Sequence, residues 1–301
     1  MQGTPDLILG SMIGLLGTAL YGLSVVVYRS QADEIHPIAV SSIKMWVALP
    51  FMVLMALFWP GVDTNYLPMI AVVLLSASVI LGAVLGDTIY LWSQQRIGVS
   101  YAFPIATSFP IITFFMTVGF LGEALVLSRL IGAVIAVVGV VLISNEQNRT
   151  QKNLEVPLRP DFLGILAAVL TAVLYAAGTT VLQVGIEGVD PIVGNLIRVI
   201  VGSIAFVPVV IAARFGGMAL PTRRATALVM VAAFFGMAVG SLFYVMAVAM
   251  VGAAIMSVIA SSAPLFAIPV SVLILKERIS TMVGIGVIAT IFGVVLVVLG
   301  A

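Results

Sequence analysis

Cysteine is absent from this chain of 301 residues, and histidine occurs once. Without thiols there is no disulfide and no thiolate site, and the redox compartment leaves no mark on the sequence. One imidazole and no thiol argue against a clustered zinc or di-metal centre, so no metal is expected. Charge is nearly as scarce: Asp, Glu, Lys and Arg make up 8% of the residues, against about 25% in an ordinary soluble domain. A net charge of +1 offers little to nucleic acid, which is excluded as a partner. No phosphate-cradling glycine loop runs into a Lys-Ser or Lys-Thr pair, so nucleotide drive within this chain is not expected and no cofactor is implied.

What is abundant is hydrocarbon. Hydrophobic residues reach 62%, with a mean hydropathy of +1.27. Too few polar side chains remain to clothe a globule in water, so lipid must cover it. Apolar runs cut by Gly, Pro or polar residues give ten spans, each near the ~20 residues a bilayer-crossing helix needs. In the first half they fall at roughly 7–28, 38–59, 67–92, 99–121 and 128–144, and in the second at roughly 161–184, 192–214, 225–249, 253–275 and 281–299. Continuous rather than alternating apolarity favours helices over a barrel, because backbone groups must pair within lipid. The first run lacks a basic leader and is read as a retained helix, not a signal peptide.

The chain also contains itself twice. Gly98 to Ile143 reads against Gly252 to Val297, 154 positions later, without a gap. Pro110 meets Pro264, Glu123 meets Glu277, Gly132 meets Gly286 and Gly139 meets Gly293. The same offset pairs Gly10 with Gly164, Tyr21 with Tyr175, Pro37 with Pro191, Lys44 with Arg198, Gly86 with Gly240 and Tyr90 with Tyr244. Shared Gly, Pro, Glu, Tyr and basic positions in one register mean an internal duplication. The polar stretch Asn145 to Pro160 is the seam: residues 1–145 form the first unit, 146–160 the linker and 161–301 the second unit. Five helices per unit is an odd number, so the second unit starts from the opposite side of the membrane. The expected fold is an all-α integral membrane protein with ten transmembrane helices in two inverted five-helix repeats. Such pairs place a substrate site near the bilayer midplane, where the halves meet.

Lys and Arg set the orientation. Arg29, Arg96, Lys152, Arg159, Arg214, Lys276 and their neighbours fall on the seam face, and only Arg129 lies opposite, with both termini. This predicts a multi-pass protein of the cytoplasmic membrane with the seam in the cytoplasm and the termini outside.

With these residues in place, the sequence resembles the EamA type of the drug/metabolite transporter superfamily along essentially its whole length. The resemblance is carried by the apolar helix with Pro110 or Pro264, followed by Leu-Gly-Glu123 or Leu-Lys-Glu277, then Gly132 or Gly286 and a Gly-Val-Val-Leu ending. Pro37 before Lys44, and Pro191 before Arg198, resemble the family's Pro and basic residue in the second helix of each unit. The resemblance implies a ten-helix exporter or exchanger of small metabolites, with a central cavity lined by both halves. It also implies cytoplasmic termini, whereas the charge count places them outside.

Several residues are candidates for that cavity. Asp87 sits well inside the third span, where an ionised carboxylate is costly enough to demand a partner or a function. Its repeat mate is Ser241, so the acid exists in one half only. Either it pairs with Lys44, or it carries a proton during transport. Asp87, Tyr90 and Gln94 share a helix face. Lys44 and Arg198 either snorkel to headgroups or line the cavity; an Arg198 without a carboxylate in its own half suits an anionic substrate group. Thr107 and Ser108 repeat as Ser261 and Ser262, just before Pro110 and Pro264, which are expected to kink their helices and free carbonyls for a polar notch. Otherwise these hydroxyls only re-satisfy the backbone at the kink. Tyr21, Tyr175, Tyr90 and Tyr244 sit at matching depths, and Asn195 and Gln183 are weaker candidates. Trp59 and Trp92 read as interfacial belt, Glu123 and Glu277 as structural acids before a helix N-terminus, and His36 as a solvated loop residue.

Three functions compete. The leading one is a secondary active carrier, exporter or exchanger, of a small metabolite, with efflux and proton coupling in view. An intramembrane enzyme would need an activated nucleophile and a base, and the one His lies at a loop edge, so no catalytic residue is expected. A lipid scramblase or non-transporting scaffold would keep the fold but lack a closed central cavity. One chain carries both cavity walls, so a monomer suffices, and a homodimer is compatible.

Overall fold

The computed structural model describes residues 4–32, 34–63, 67–151, 162–275 and 280–300. Glu277, Lys276 and Arg278, together with Lys152 and Arg159 of the seam, lie outside the described residues. The first half comprises α1 (Thr4–Ser30), α2 (Pro37–Phe58), α3 (Met69–Val79), α4 (Asp87–Ile97), α5 (Val99–Ala106), α6 (Phe109–Leu121) and α7 (Leu127–Gln151). The second comprises α8 (Phe162–Ile186), α9 (Pro191–Phe215), α10 (Arg223–Ala233), α11 (Gly240–Ser261), α12 (Ala263–Leu275) and α13 (Thr281–Leu299). Helix α7 runs past the expected end of the fifth span, so the seam begins as helix.

Nine helical stretches among the described residues are long and apolar enough to cross a bilayer. One of them, Arg223–Pro269, is 47 residues long, about twice what a crossing requires. Its backbone turns at Gly252, with φ +82° and ψ 167°, a region essentially reserved for glycine. Gly98, the repeat mate, does the same between α4 and α5 with φ +77° and ψ 160°. One device serves both halves.

Local chemistry explains the starts of the paired helices. Pro37 and Pro191 stand in the first turn of α2 and α9, where a missing N–H costs nothing. The residue before each caps it: His36 Nδ1 accepts from the Ile38 N–H at 3.2 Å, and Asp190 Oδ1 from the Ile192 N–H at 2.8 Å. His36 is therefore a helix cap, not the free solvated side chain expected from its loop position.

A second shared device was not visible in the sequence. The third span of each half passes through a π-helical segment, Ile80–Gly86 in one and Phe234–Val239 in the other. Each lies at a glycine pair, Gly82/Gly86 in the first half and Gly236/Gly240 in the second. Such widened turns collect at functional sites, and Asp87 and Ser241 follow directly after the second glycine of each pair.

Repeat mates pack against each other antiparallel. Along α7 and α13, a Cβ on Gly132 would stand 2.8 Å from the Gly293 carbonyl oxygen, and one on Gly286 would stand 2.7 Å from that of Gly139. Rising numbers in α7 thus meet falling numbers in α13, at a separation only glycine allows. Along α2 and α9, Met45 lies against Gly202 and Met52 receives the Asn195 amide, again in opposite directions. The first helix of each half crosses over: α1 packs on α11 and α12, and α8 on α3, α4 and α6.

The largest buried cluster gathers at the face where α1 begins. It joins Leu75, Ala136, Leu182, Val248, Ile255 and Val294 from both halves. Smaller, separate clusters hold the other face, such as Ile35 with Ala39 and Val229, and Ile97 with Ala102 and Ala168. Tyr101, the repeat mate of the fully enclosed Ile255, is 45% exposed.

Candidate substrate cavity

Between the halves lies a cavity of about 350 Å³, at the lower end of the size that holds a small organic molecule. Both halves line it. From the first come Tyr21, Lys44, Ser78, Asp87, Tyr90 and Thr107; from the second, Tyr175, Thr179, Arg198, Ser241, Tyr244 and Ser261. Pro264 and the aromatic rings of Phe103 and Phe109 complete much of the wall.

Its charges are arranged unequally. Lys44 Nζ stands 3.5 Å from Asp87 Oδ2, with the two side chains 11% and 26% exposed. At that distance the contact is an ion pair rather than a short charged hydrogen bond. The other carboxylate oxygen, Oδ1, accepts from Tyr175 Oη at 2.8 Å, across the boundary between halves. Lys44 also lies 6.0 Å from the centre of the Tyr28 ring, a weak cation–π approach. The pairing reading of Asp87 and Lys44 is thus what the geometry displays.

Arg198 has no such counterpart. Its Nε donates to Ser78 Oγ at 3.0 Å, and among the described residues no carboxylate approaches it within ion-pair distance. Near it, Tyr244 Oη and Thr179 Oγ1 share a hydrogen bond of 2.9 Å. Ser241 Oγ, at the place of the missing acid, accepts from Asn195 Nδ2 at 2.9 Å.

Other candidates fall outside the wall. Asn195 is 1% exposed and stands one layer behind Ser241. Gln94 is also behind the wall and donates to Tyr90 Oη at 2.6 Å. Ser108 and Ser262 face away and spend their hydroxyls on the carbonyls of Ile105 and Ile259. Thr107 and Ser261 do line the cavity, yet they too bond local carbonyls, of Phe103 and Val258. Pro110 does not kink a continuous helix. It stands in the first turn of α6, after a full break at Thr107 and Ser108. Pro264 holds the matching position in α12, after the break at Ser262. The interruption lies two residues before each proline, at Ser108 and Ser262, and each proline then seeds the next helix.

Glu123 and Gln183 also turn out differently. Glu123 lies four residues before α7 and caps no N-terminus there; its Oε1 accepts from Gln183 Nε2 at 2.7 Å. Gln183 Oε1 in turn accepts the Ala253 N–H at 2.6 Å, pinning the turn at Gly252. Gln183 thus ties the halves together away from the cavity. Its repeat mate is Arg29 and that of Glu123 is Glu277, the latter outside the described residues. Trp59 and Trp92 are exposed, as interfacial side chains would be, and Arg96 stacks on Trp92 at 4.8 Å.

Ser78 and Thr179 escaped sequence reasoning. A hydroxyl inside an apolar run reads as a group bonding its own helix, and only the helix-face geometry reveals Ser78 as the partner of Arg198.

Long apolar helices around a central cavity that holds an ion pair describe a multi-pass membrane protein. The chain belongs to the EamA-like transporter family, whose profile matches residues 8–145 and again residues 162–299. The two matches stand 154 positions apart, from 8 to 162 and from 145 to 299, the offset at which the sequence repeats. A solved crystal structure superposes with a TM-score of 0.76 at 15% sequence identity, covering 96% of this chain and 97% of that one. At that identity the likeness is one of fold. Among curated proteins no sequence match is found.

Proposed function

We propose that the protein is a secondary active carrier that exports or exchanges a small metabolite across the cytoplasmic membrane by alternating access, coupled to a proton on Asp87. One observation carries the reading: a single cavity, walled by both halves, holds charged groups at membrane depth behind an apolar cluster concentrated at one face. The antiparallel packing of α7 on α13 and of α2 on α9 supports two inverted repeats. The turn at Gly252 supports counting Arg223–Pro269 as two crossings, which makes ten. Mates buried to different degrees at the two faces, such as Ile255 and Tyr101, fit halves that exchange packings.

A scaffold would have a packed centre, which the cavity speaks against. A scramblase would need a polar track open to lipid. The groove on the lipid side between α2 and α10, lined by Ile43, Trp46, Pro50, Leu54, Met230 and Phe234, offers a headgroup no polar side chain beyond the indole N–H, which Ser203 already occupies.

The purified protein in proteoliposomes, preloaded with amino acids, organic acids or phosphorylated metabolites, is expected to show counterflow with one class. Absence of counterflow across all three, together with lipid flip-flop, would point to the scramblase instead.

The charge distribution supports a cytoplasmic seam with both termini outside. A chain without cysteine permits a clean check. A single cysteine placed at Gln151 is expected to react with a membrane-impermeant maleimide only in inverted vesicles. Labelling in intact cells would reverse the orientation.

A further inference from the structure

The two halves treat their register-matched cations differently, and the difference has a shape. In the first half, Lys44 faces a carboxylate, Asp87, which Tyr175 also holds. In the second, Arg198 occupies the place of Lys44 and Ser241 that of Asp87, so a hydroxyl stands where the acid would be. Ser78 takes only the Nε of the guanidinium, Arg198 itself lines the cavity, and among the described residues no carboxylate meets its terminal nitrogens. Among the described charged groups lining the cavity, Lys44 and Asp87 cancel and one positive charge is left over. A guanidinium held at membrane depth without a counter-charge is costly, and it is the cation best matched to a planar two-oxygen anion.

We propose that the transported substrate is a small organic monocarboxylate, and that Arg198 receives its carboxylate at the position in the second half that Asp87 holds in the first. This inference rests on the carrier reading and names the class of its substrate. The register of α2 on α9 sets the two cations at different heights. Met45 lies against Gly202 and Met52 against Asn195, so Lys44 and Arg198 differ by about five residues, roughly 7 Å along the bundle axis. The substrate anion is thus held apart from the Lys44–Asp87 pair. The body of the substrate then lies against Tyr21, Tyr90, Phe103, Phe109 and Tyr244, which favour an apolar or aromatic remainder. A dianion would overcompensate the single free charge. A zwitterion would bring an ammonium to a site whose one acid is already engaged twice.

Matched probes test the charge. The detergent-purified protein is titrated with hexanoate and 3-phenylpropionate, with norleucine and phenylalanine, with hexylamine and 2-phenylethylamine, and with phenyl phosphate. Thermal stabilisation is the readout. At least one carboxylate is expected to stabilise at a concentration tenfold or more below that of its amino-acid and amine analogues and of the phosphate ester. Arg198→Gln is expected to erase that preference, and Arg198→Lys to weaken carboxylate binding about tenfold by losing the two-pronged contact. Ser241→Asp builds the missing carboxylate into the protein and is expected to bind carboxylates at least tenfold more weakly than Ser241→Asn, its uncharged isostere. That comparison decides the matter if the Arg198 variants fail to fold. Equal or tighter binding of an amine, a zwitterion or the phosphate ester overturns the proposal. So does indifference of the Asp and Asn variants at position 241, or no stabilisation by either carboxylate. The same probes in proteoliposome counterflow keep the two readings apart. Carboxylate binding without counterflow by any probe would sink the carrier and leave the site. Counterflow by amines or zwitterions, but not by carboxylates, would sink the substrate class and leave the carrier.

Discussion

Asp87→Asn is expected to abolish accumulation driven by a pH gradient while counterflow of substrate persists. Asp87 is the only carboxylate lining the cavity among the described residues. The basic and phenolic groups facing it are Lys44 and Tyr175, with Tyr21 and Tyr90 elsewhere on the same wall. Asparagine keeps the shape of the side chain and can still accept from the Tyr175 hydroxyl, so the change removes the carboxylate charge, keeps that hydrogen bond and leaves Lys44 without its counter-charge. If one proton moves per substrate, a gradient of one pH unit supports roughly tenfold accumulation, because that unit is worth about 1.4 kcal/mol. The variant should fall from that ratio to none, with exchange at equal pH retained. Accumulation is measured in proteoliposomes with an imposed gradient. A ratio unchanged from that of the parent protein would remove Asp87 as the proton carrier and leave the ion pair as its sole role.

Lys44→Met should cost more in stability than an apolar-to-apolar substitution on the lipid-facing surface. It strands the Asp87 carboxylate with one hydroxyl donor in a site where both partners are mostly buried. Breaking a buried pair from one side costs about 3–5 kcal/mol, and the 26% exposure of the Asp87 side chain holds the loss to roughly 2–3 kcal/mol here. The double variant Lys44→Met with Asp87→Asn removes both charges and should regain most of the difference. The apparent melting temperature of the detergent-purified protein provides the readout across the four members of the cycle. If Lys44→Met melts with the parent, the lysine is spending its charge on headgroups after all, as a snorkelling side chain would.

The repeat was legible because glycine, proline and tyrosine keep their positions through an offset that apolar residues alone could not reveal. Lys44, Asp87 and Arg198 stood out for the opposite reason, since charge inside an apolar run is too costly to be incidental. What could not be read was which side of a helix faces inward. In a span apolar all round, no polar stripe tells the side toward the cavity from the side toward a neighbouring helix or lipid. For this cause the sequence does not tell Asn195, Gln94, Ser108 and Ser262, which lie outside the cavity wall, from Ser78 and Thr179, which line it. The π-helical segments left no trace beyond paired glycines, because a widened turn changes the phase of the helix without changing its composition. Gln183 illustrates both limits: its polar amide is plain in the sequence, but the turn at Gly252 that it secures exists only once α8 and α11 have packed together.

The crossing-over of α1 and α8 has a consequence for how the protein is made. Helix α1 leaves the ribosome on the order of 200 residues ahead of α11, the helix that will embrace it, a delay of about 10–40 s at ordinary rates of synthesis. Through that interval its Ser24 hydroxyl has only its own helix, through the Leu20 carbonyl, and gains the Ala232 carbonyl when the last third of the chain arrives. A helix made well before its partner is thus among the last to find its place, and neither half can finish its wall without borrowing a stave from the other.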